Sequence, residues 1–255
     1  MWRYYTKQRF ISFLLIVLTT SCSAHQAFTE KNAGFRVQWY KGYTMPQFLA
    51  QAIEVKTQAD LAGLLDKNWY DKFRVRSNEK APIIDLSSCK DYFDVKQKPL
   101  WPVNESENSA FMQLVMMCLA TRAISKAIPA HISRFNELAF DKNLPKRLPA
   151  KMAMFTSTTE EQHILGNKAI KHMAQVYKIV KVKNHSRYDT SYFEEGQEQE
   201  LQLVAKGDFN HDDVEDYLIS STESVQGGTY TALRLYLITR RPGQQDYTLL
   251  KEYKY

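Results

Sequence analysis

Asp208, Asn210, Asp212 and Asp216 place oxygen-bearing side chains at positions 1, 3, 5 and 9 of one short loop, Gly207-Asp208-Phe209-Asn210-His211-Asp212-Asp213-Val214-Glu215-Asp216. That spacing curls the oxygens around one centre. Hard cations such as calcium take six to eight oxygen ligands at roughly 2.3–2.6 Å, so cation binding is the chemistry the loop points to. Five carboxylates fall within residues 208–216 of a chain whose formal net charge is +6. Without a counter-ion these carboxylates repel one another. A solvated acidic turn that holds no ion is the alternative. An EF-hand is excluded, because position 12 is Ile219 where a bidentate Glu is needed and position 6 is Asp213 where Gly is needed. Asp tolerates left-handed backbone better than most residues, so the turn remains accessible. His211 points away from the oxygens in the alternation, and the expected role of an ion is structural and not catalytic.

The same residues carry a family likeness. The loop resembles the D-x-N-x-D-G-x-x-D calcium loops of FG-GAP and VCBS-type β repeats, with Gly207-Asp208-Phe209-Asn210 before the turn and Asp216-Tyr217-Leu218-Ile219 opening a strand after it. The likeness covers about fifteen residues and has no second copy, which implies a β-hairpin loop and not a propeller. By this resemblance Asp208, Asn210, Asp212 and Asp216 are side-chain ligands of Ca2+, and Val214 offers its carbonyl. Asp213 in place of Gly departs from the pattern and puts affinity in question.

The other end of the chain supplies an address. Arg3, Lys7 and Arg9 form a basic region, and Phe10 to Leu18 is an apolar run too short for a permanent span. Leu18-Thr19-Thr20-Ser21-Cys22 then resembles a bacterial lipoprotein signal, which implies cleavage before Cys22 and lipidation of that residue. Ser23 after the cysteine implies, by the same likeness, the periplasmic face of the outer membrane in a Gram-negative envelope. An ordinary secretory signal cut near Ala24 is the alternative. Three cysteines are an odd number for an exported chain, but lipidation of Cys22 leaves Cys89 and Cys118 as one pair in an oxidising compartment. Their bridge closes a loop of about thirty residues and stabilises by roughly 3 kcal/mol in the chain-entropy model. Two buried thiols packed as small hydrophobes are the other reading. Removing residues 1–21 takes away three basic and no acidic side chains, so the formal charge falls from +6 to +3. A pI near 9 is therefore no argument for nucleic acid.

The elements that must position the loop follow from periodicity. Residues 22–43 read as a tether ending in Phe35, Trp39, Tyr40 and Tyr43, and residues 44–175 as a helical region. Within that region a helix is predicted over Pro46–Leu65 with Thr44 as N-cap, a short one near Ser87-Ser88-Cys89, and a central one over Ser106–Ala127 with Ser106 as N-cap and Pro129 beyond its end. Lys98–Asn104 reads as a loop and Thr159–Val176 as one more helix. From residue 176 to 255 the period becomes two. Strands are predicted over Tyr177–Val182, Glu200–Val204, Asp216–Ser220, Tyr230–Thr239 and Tyr247–Tyr253, with turns at Gly227-Gly228 and Pro242-Gly243. Leu233, Leu235 and Leu237 alternate with Arg234, Tyr236 and Ile238, which reads as a half-buried strand. The expected class is α+β, a helical N-terminal part followed by an antiparallel meander of about five strands.

Catalytic motifs are sparse. Ser77–Lys80 and Ser87–Lys90 match S-x-x-K and Ser106–Asn108 mimics S-x-N, but no K-T-G follows. G-x-S-x-G, H-E-x-x-H and P-loop patterns are absent. His163 and His172 fall on one predicted helix without a third ligand, and His131 and His185 stand alone. Trp69 and Trp101 read as packing residues. The expected function is a non-enzymatic periplasmic lipoprotein that binds another protein. Its architecture is reminiscent of immunity proteins against periplasm-acting toxins, a likeness of layout and not of motif. The alternative is a cell-envelope hydrolase or peptidoglycan-active enzyme with a dispersed site. A pocket gathering His, Ser or carboxylates away from the 208–216 loop would favour the enzyme, and a flat or protruding aromatic-rich surface the binder.

Overall fold

The computed structural model describes residues 34–40, 45–96, 98–228 and 230–253. The signal segment 1–21, Cys22, Thr44 and most of the 22–43 tether lie outside the described residues. In chain order the elements are β1 (Gln38–Trp39), α1 (Gln58–Leu64), β2 (Phe73–Arg76), β3 (Ile84–Leu86), α2 (Cys89–Asp94), β4 (Trp101–Pro102), α3 (Asn108–Lys126), α4 (Thr158–Gly166), α5 (Met173–Val176), β5 (Lys181–Ser186), β6 (Asp189–Glu194), β7 (Gln197–Gly207), β8 (Asp216–Val225), β9 (Thr231–Thr239) and β10 (Thr248–Tyr253). The fold is mixed α+β with antiparallel sheets.

Strands β5 to β10 pair in sequence order as a meander, and β1 adds to β7. Gly227 and Gly243 take positive φ (73° and 82°) in the turns before β9 and β10, as their sequence context predicts. The meander has a strand that periodicity missed. β6 has the sequence Asp-Thr-Ser-Tyr-Phe-Glu, in which only two side chains are large and apolar. Thr190 and Ser191 are buried through hydrogen bonds, such as Thr190 Oγ1 to the Phe140 carbonyl at 3.0 Å. The strand expected from Tyr177 instead starts at Lys181, because Tyr177 closes α5 and buries its ring, its hydroxyl donating to the Tyr192 carbonyl at 3.2 Å.

The sheet is covered on both faces at its centre. Val204, Ala205, Leu218, Leu235 and Leu237 pack into a core with α1 and α3. Leu201, Leu203, Tyr217, Ile219, Tyr236 and Ile238 pack into a second core beneath residues 138–155, Met173 and Tyr177. β9 is therefore not half-buried: Tyr236 and Ile238, read as its outer face, are fully buried. The second cover comes from short 3-10 turns around Pro145 and Pro149, which have no long apolar period to announce them.

The N-terminal part is not wholly helical. β3, β2 and β4 form a small antiparallel sheet within it, and the expected 98–104 loop contributes β4. The long helix expected over Pro46–Leu65 is a 3-10 turn at Met45–Phe48, an irregular stretch, and then α1. Ala50 N donates to the Asn68 carbonyl and Tyr70 N to the Phe48 carbonyl, so pairing with the 68–70 segment replaces helical bonds there. Asp60 then anchors α1 by accepting from Thr57 N at 2.8 Å and Lys56 N at 3.0 Å. The Thr159–Val176 helix is likewise two pieces, α4 and α5, separated after Gly166. α2 forms where expected, with Ser88 Oγ accepting from Asp91 N at 3.0 Å. α3 does too, but Asn104 and not Ser106 caps the turn that leads into it. Cys89 and Cys118 form a disulfide with Cα atoms 5.4 Å apart, joining α2 to the buried face of α3.

Candidate functional site

β7 ends at Gly207 and β8 begins at Asp216, and the two residues face each other in register. The loop between them closes on its own carboxylates. Asp208 is fully buried; its Oδ1 accepts from His211 N at 2.6 Å and Asp212 N at 3.2 Å, and its Oδ2 from Asp213 N at 2.9 Å. Asn210 Oδ1 accepts from Asp212 N at 3.0 Å, and Asp212 Oδ1 from Val214 N at 3.1 Å. Asp216 Oδ2 accepts from Phe209 N at 3.1 Å. His211 and Asp213 have φ of 66° and 67°. Asp213 thus adopts the left-handed turn that Gly makes in the calcium-loop pattern, as its tolerance for that conformation allows.

Two carboxylates lie at the base of the loop and one does not. Burial pushes Asp216 up to about 6, and the nearby charges of Asp212 and Asp208 push the same way. Its Oδ1 is buried without a well-formed hydrogen bond, as is the Thr239 hydroxyl, although the two residues face each other across strands and the hydroxyl still favours the charged form. Asp212 is turned outward to Arg241, with Oδ2 3.0 Å from Nη2. Burial raises Asp212, but the Val214 amide and Arg241 outweigh it and hold the carboxyl below its ordinary value. Val214 is buried and bridges to Ile132.

The loop also carries a neighbouring segment. Ile128 and Asp208 exchange both backbone hydrogen bonds at 2.9 Å. His131 N and Ile132 N donate to the Asp213 carbonyl, and Glu215 N donates to the Ile132 carbonyl. His131 Nδ1 lies 2.8 Å from Asp213 Oδ1. Beneath this ridge the buried Glu215 is paired with Lys206 at 3.2 Å, and the Lys206 ammonium stands 3.9 Å from the Phe135 ring centre. In this segment Ile128 and Ile132 are exposed, and exposed Phe35 is bridged to Ala130 between them.

Sequence spacing did not reveal a second gathering of donors. Among the described residues, ligand atoms of His185, Asp189 and Glu200 lie within 4.8 Å of one another, whereas Asp208, Asp212 and Asp216 form no such set. The three come from β5, β6 and β7. His185 is not alone, as its single position suggested: it meets Ser191 Oγ at 2.8 Å. Burial raises Glu200, and Asp189 raises it further. No protein-family model, curated protein or solved structure matches the chain.

Several other candidates take structural contacts. Ser87 Oγ donates to Asp91 at 2.8 Å and Ser88 caps α2, so the S-x-x-K match there is a helix start. His163 lies on α4 whereas His172 is the extended N-cap of α5, and His172 sits 3.1 Å from Asp246. Trp69 is buried as expected, whereas Trp101 is exposed. A cleft of about 450 Å³ lies between α3 and the sheet, lined in part by Gln113, Met116, Gln202, Ser220 and Thr222. A groove of about 670 Å³ runs beside β1, with Trp39, Tyr40, Ile53 and Lys206 on its walls.

Proposed function

We propose that this chain is a lipid-anchored envelope protein that binds another protein, and that the 208–216 loop is a structural calcium site holding the binding surface. The observation that carries the reading is the stitching of the Ile128–Ile132 segment to Asp208, Asp213 and Glu215, which ties exposed Ile128 and Ile132, and exposed Phe35 through its bridge to Ala130, to the loop. Exposed apolar side chains carried on segments paired to one loop suit a partner surface. The likeness of layout to immunity proteins makes a toxin acting in the periplasm the partner to test first.

The loop residues fit a calcium ion in part. Asp216 Oδ1 is a buried oxygen without a well-formed hydrogen bond, the group an ion would satisfy. Asp208 is buried beside it, and Asp212 would have to leave Arg241 to join them. When bound, the ion would supply positive charge at the loop base and no chemistry. Asp208, Asn210, Asp212, Asp216 and the Val214 carbonyl would hold it.

Calcium should raise the thermal midpoint of the mature protein relative to EGTA. Asp208→Asn with Asp216→Asn should abolish the difference. Equal midpoints with calcium and with EGTA in the wild type would refute the structural-metal reading. The anchor is tested separately: Cys22→Ser should move the protein from the membrane to the soluble fraction, whereas a soluble wild type would contradict the lipoprotein signal.

A further inference from the structure

The loop was the metal candidate that spacing advertised, yet the sheet gathers a different donor set. His185 lies at the end of β5, where the pairing with β6 slips between Asn184 and Ser186. The slip leaves His185 without a direct cross-strand partner, an arrangement by which bulges re-aim side chains. Asp189 opens β6, and Glu200 lies on β7 opposite Ser191. Three adjacent strands thus deliver an imidazole and two carboxylates to one place, with ligand atoms within 4.8 Å of one another.

We propose that His185, Asp189 and Glu200 form a binding site for a divalent transition-metal ion, zinc in the first instance. The donor set decides the ion class. One imidazole with two carboxylates suits zinc and its first-row neighbours, whereas calcium and magnesium take oxygen alone. Asp189 Oδ1 is buried without a well-formed hydrogen bond, its interaction being with the neighbouring Glu200 carboxyl, so an oxygen in the cluster lacks its full complement. The Ser191 hydroxyl at 2.8 Å fixes the imidazole, the role that outer-shell partners play at metal sites. His185 is exposed while Asp189 and Glu200 are half-buried, so an ion can enter from solvent. Three protein ligands leave at least one position for water or for a donor from a partner. The site is separate from the 208–216 loop and does not depend on that loop holding calcium.

The test is zinc titration of the tag-free mature protein by calorimetry, with calcium present throughout. A single zinc per chain is expected, lost in His185→Ala and in Glu200→Gln. Ser191→Ala should weaken zinc binding by about 10-fold while keeping the stoichiometry, as second-shell changes do. Replacing zinc by cobalt should give visible absorption bands that disappear in His185→Ala. Far-UV circular dichroism checks that each variant is folded, and the Asp208→Asn, Asp216→Asn variant should bind zinc as the wild type does. No zinc uptake by the wild type, or uptake unchanged in both His185→Ala and Glu200→Gln, would overturn the proposal. Loss confined to the loop variant would assign the ion to the loop and overturn it equally.

Discussion

Replacing both Cys89 and Cys118 by Ala should lower stability by about 3 kcal/mol, within a range of roughly 2–5 kcal/mol for native disulfides. For a chain of this size that corresponds to a thermal midpoint lower by roughly 6–12 °C. The bridge spans a sequence separation of 29 and ties α2, a helix of only six residues, to the central helix α3. So short a helix has little stability of its own. Both cysteines are fully buried, and Met45 packs against them from the N-terminal turn. The loss should therefore be felt across the α1–α2–α3 core and less on the far face of the large sheet. Hydrogen exchange on the double variant checks this distribution. Thiol titration of the denatured wild type checks the bridge itself: two reactive thiols besides Cys22 would contradict it.

The second large effect lies in the other core. Glu223 is fully buried on β8 and meets Arg234 of β9 at 3.1 Å; Arg234 also reaches Glu252 of β10 at 3.3 Å. Burial pushes Glu223 up from 4.5 to about 7, with Arg234 pulling it back towards the charged form. Because the folded value lies above the unfolded one, this group's stabilising contribution is fully present below pH 4.5 and is lost as pH rises through about 7. Arg234→Met leaves the carboxylate buried without its cation. That should cost about 3–5 kcal/mol at pH 8, as breaking a buried pair does. At pH 5 the variant's Glu223 takes up a proton, and the cost should fall to less than half. Urea unfolding of wild type and variant at both pH values measures this. An equal loss at pH 5 and pH 8 would show that the variant fails through lost packing and not through the stranded charge. Glu223→Gln should remove this group's share of the pH dependence.

The sequence was most legible where one residue type has one physical use. Apolar alternation located β7 to β10, Gly227 and Gly243 marked their turns, and cysteine parity gave the Cys89–Cys118 bridge. α3 was legible because its apolar face runs through five turns between Glu107 and Ala127. Other features were hidden for identifiable reasons. β6 buries Thr190 and Ser191 through hydrogen bonds, which leave no hydrophobic period. The segment 49–57 has a helical apolar pattern, but the chain leaves the helix where Leu49 and Ala50 pair with Trp69 and Asn68. Proline-punctuated turns cover the second face of β9, so Tyr236 is core despite alternating with leucines.

The sites divide along the same line. The 208–216 loop is local in sequence, and its turn forms at Asp213 without Gly. What spacing could not convey is the outward swing of Asp212 to Arg241, since Arg241 lies a whole hairpin away. His185, Asp189 and Glu200 carry no motif, because three strands and a register slip bring them together. The signal available was that His185 closely follows the strand predicted over Tyr177–Val182 and Glu200 opens the one predicted over Glu200–Val204.

The most direct test of the central claim is capture of a partner from the cell envelope and secreted fraction by the mature, untethered protein in calcium. Wild type is compared with Ile128→Asp, Ile132→Asp and with wild type in EGTA. The account predicts one stoichiometric protein partner that is retained by the wild type in calcium. It should be lost both when the ridge carries the two aspartates and when calcium is removed. A partner retained equally by all three samples, or no partner in any of them, would contradict a binding surface organised by the 208–216 loop.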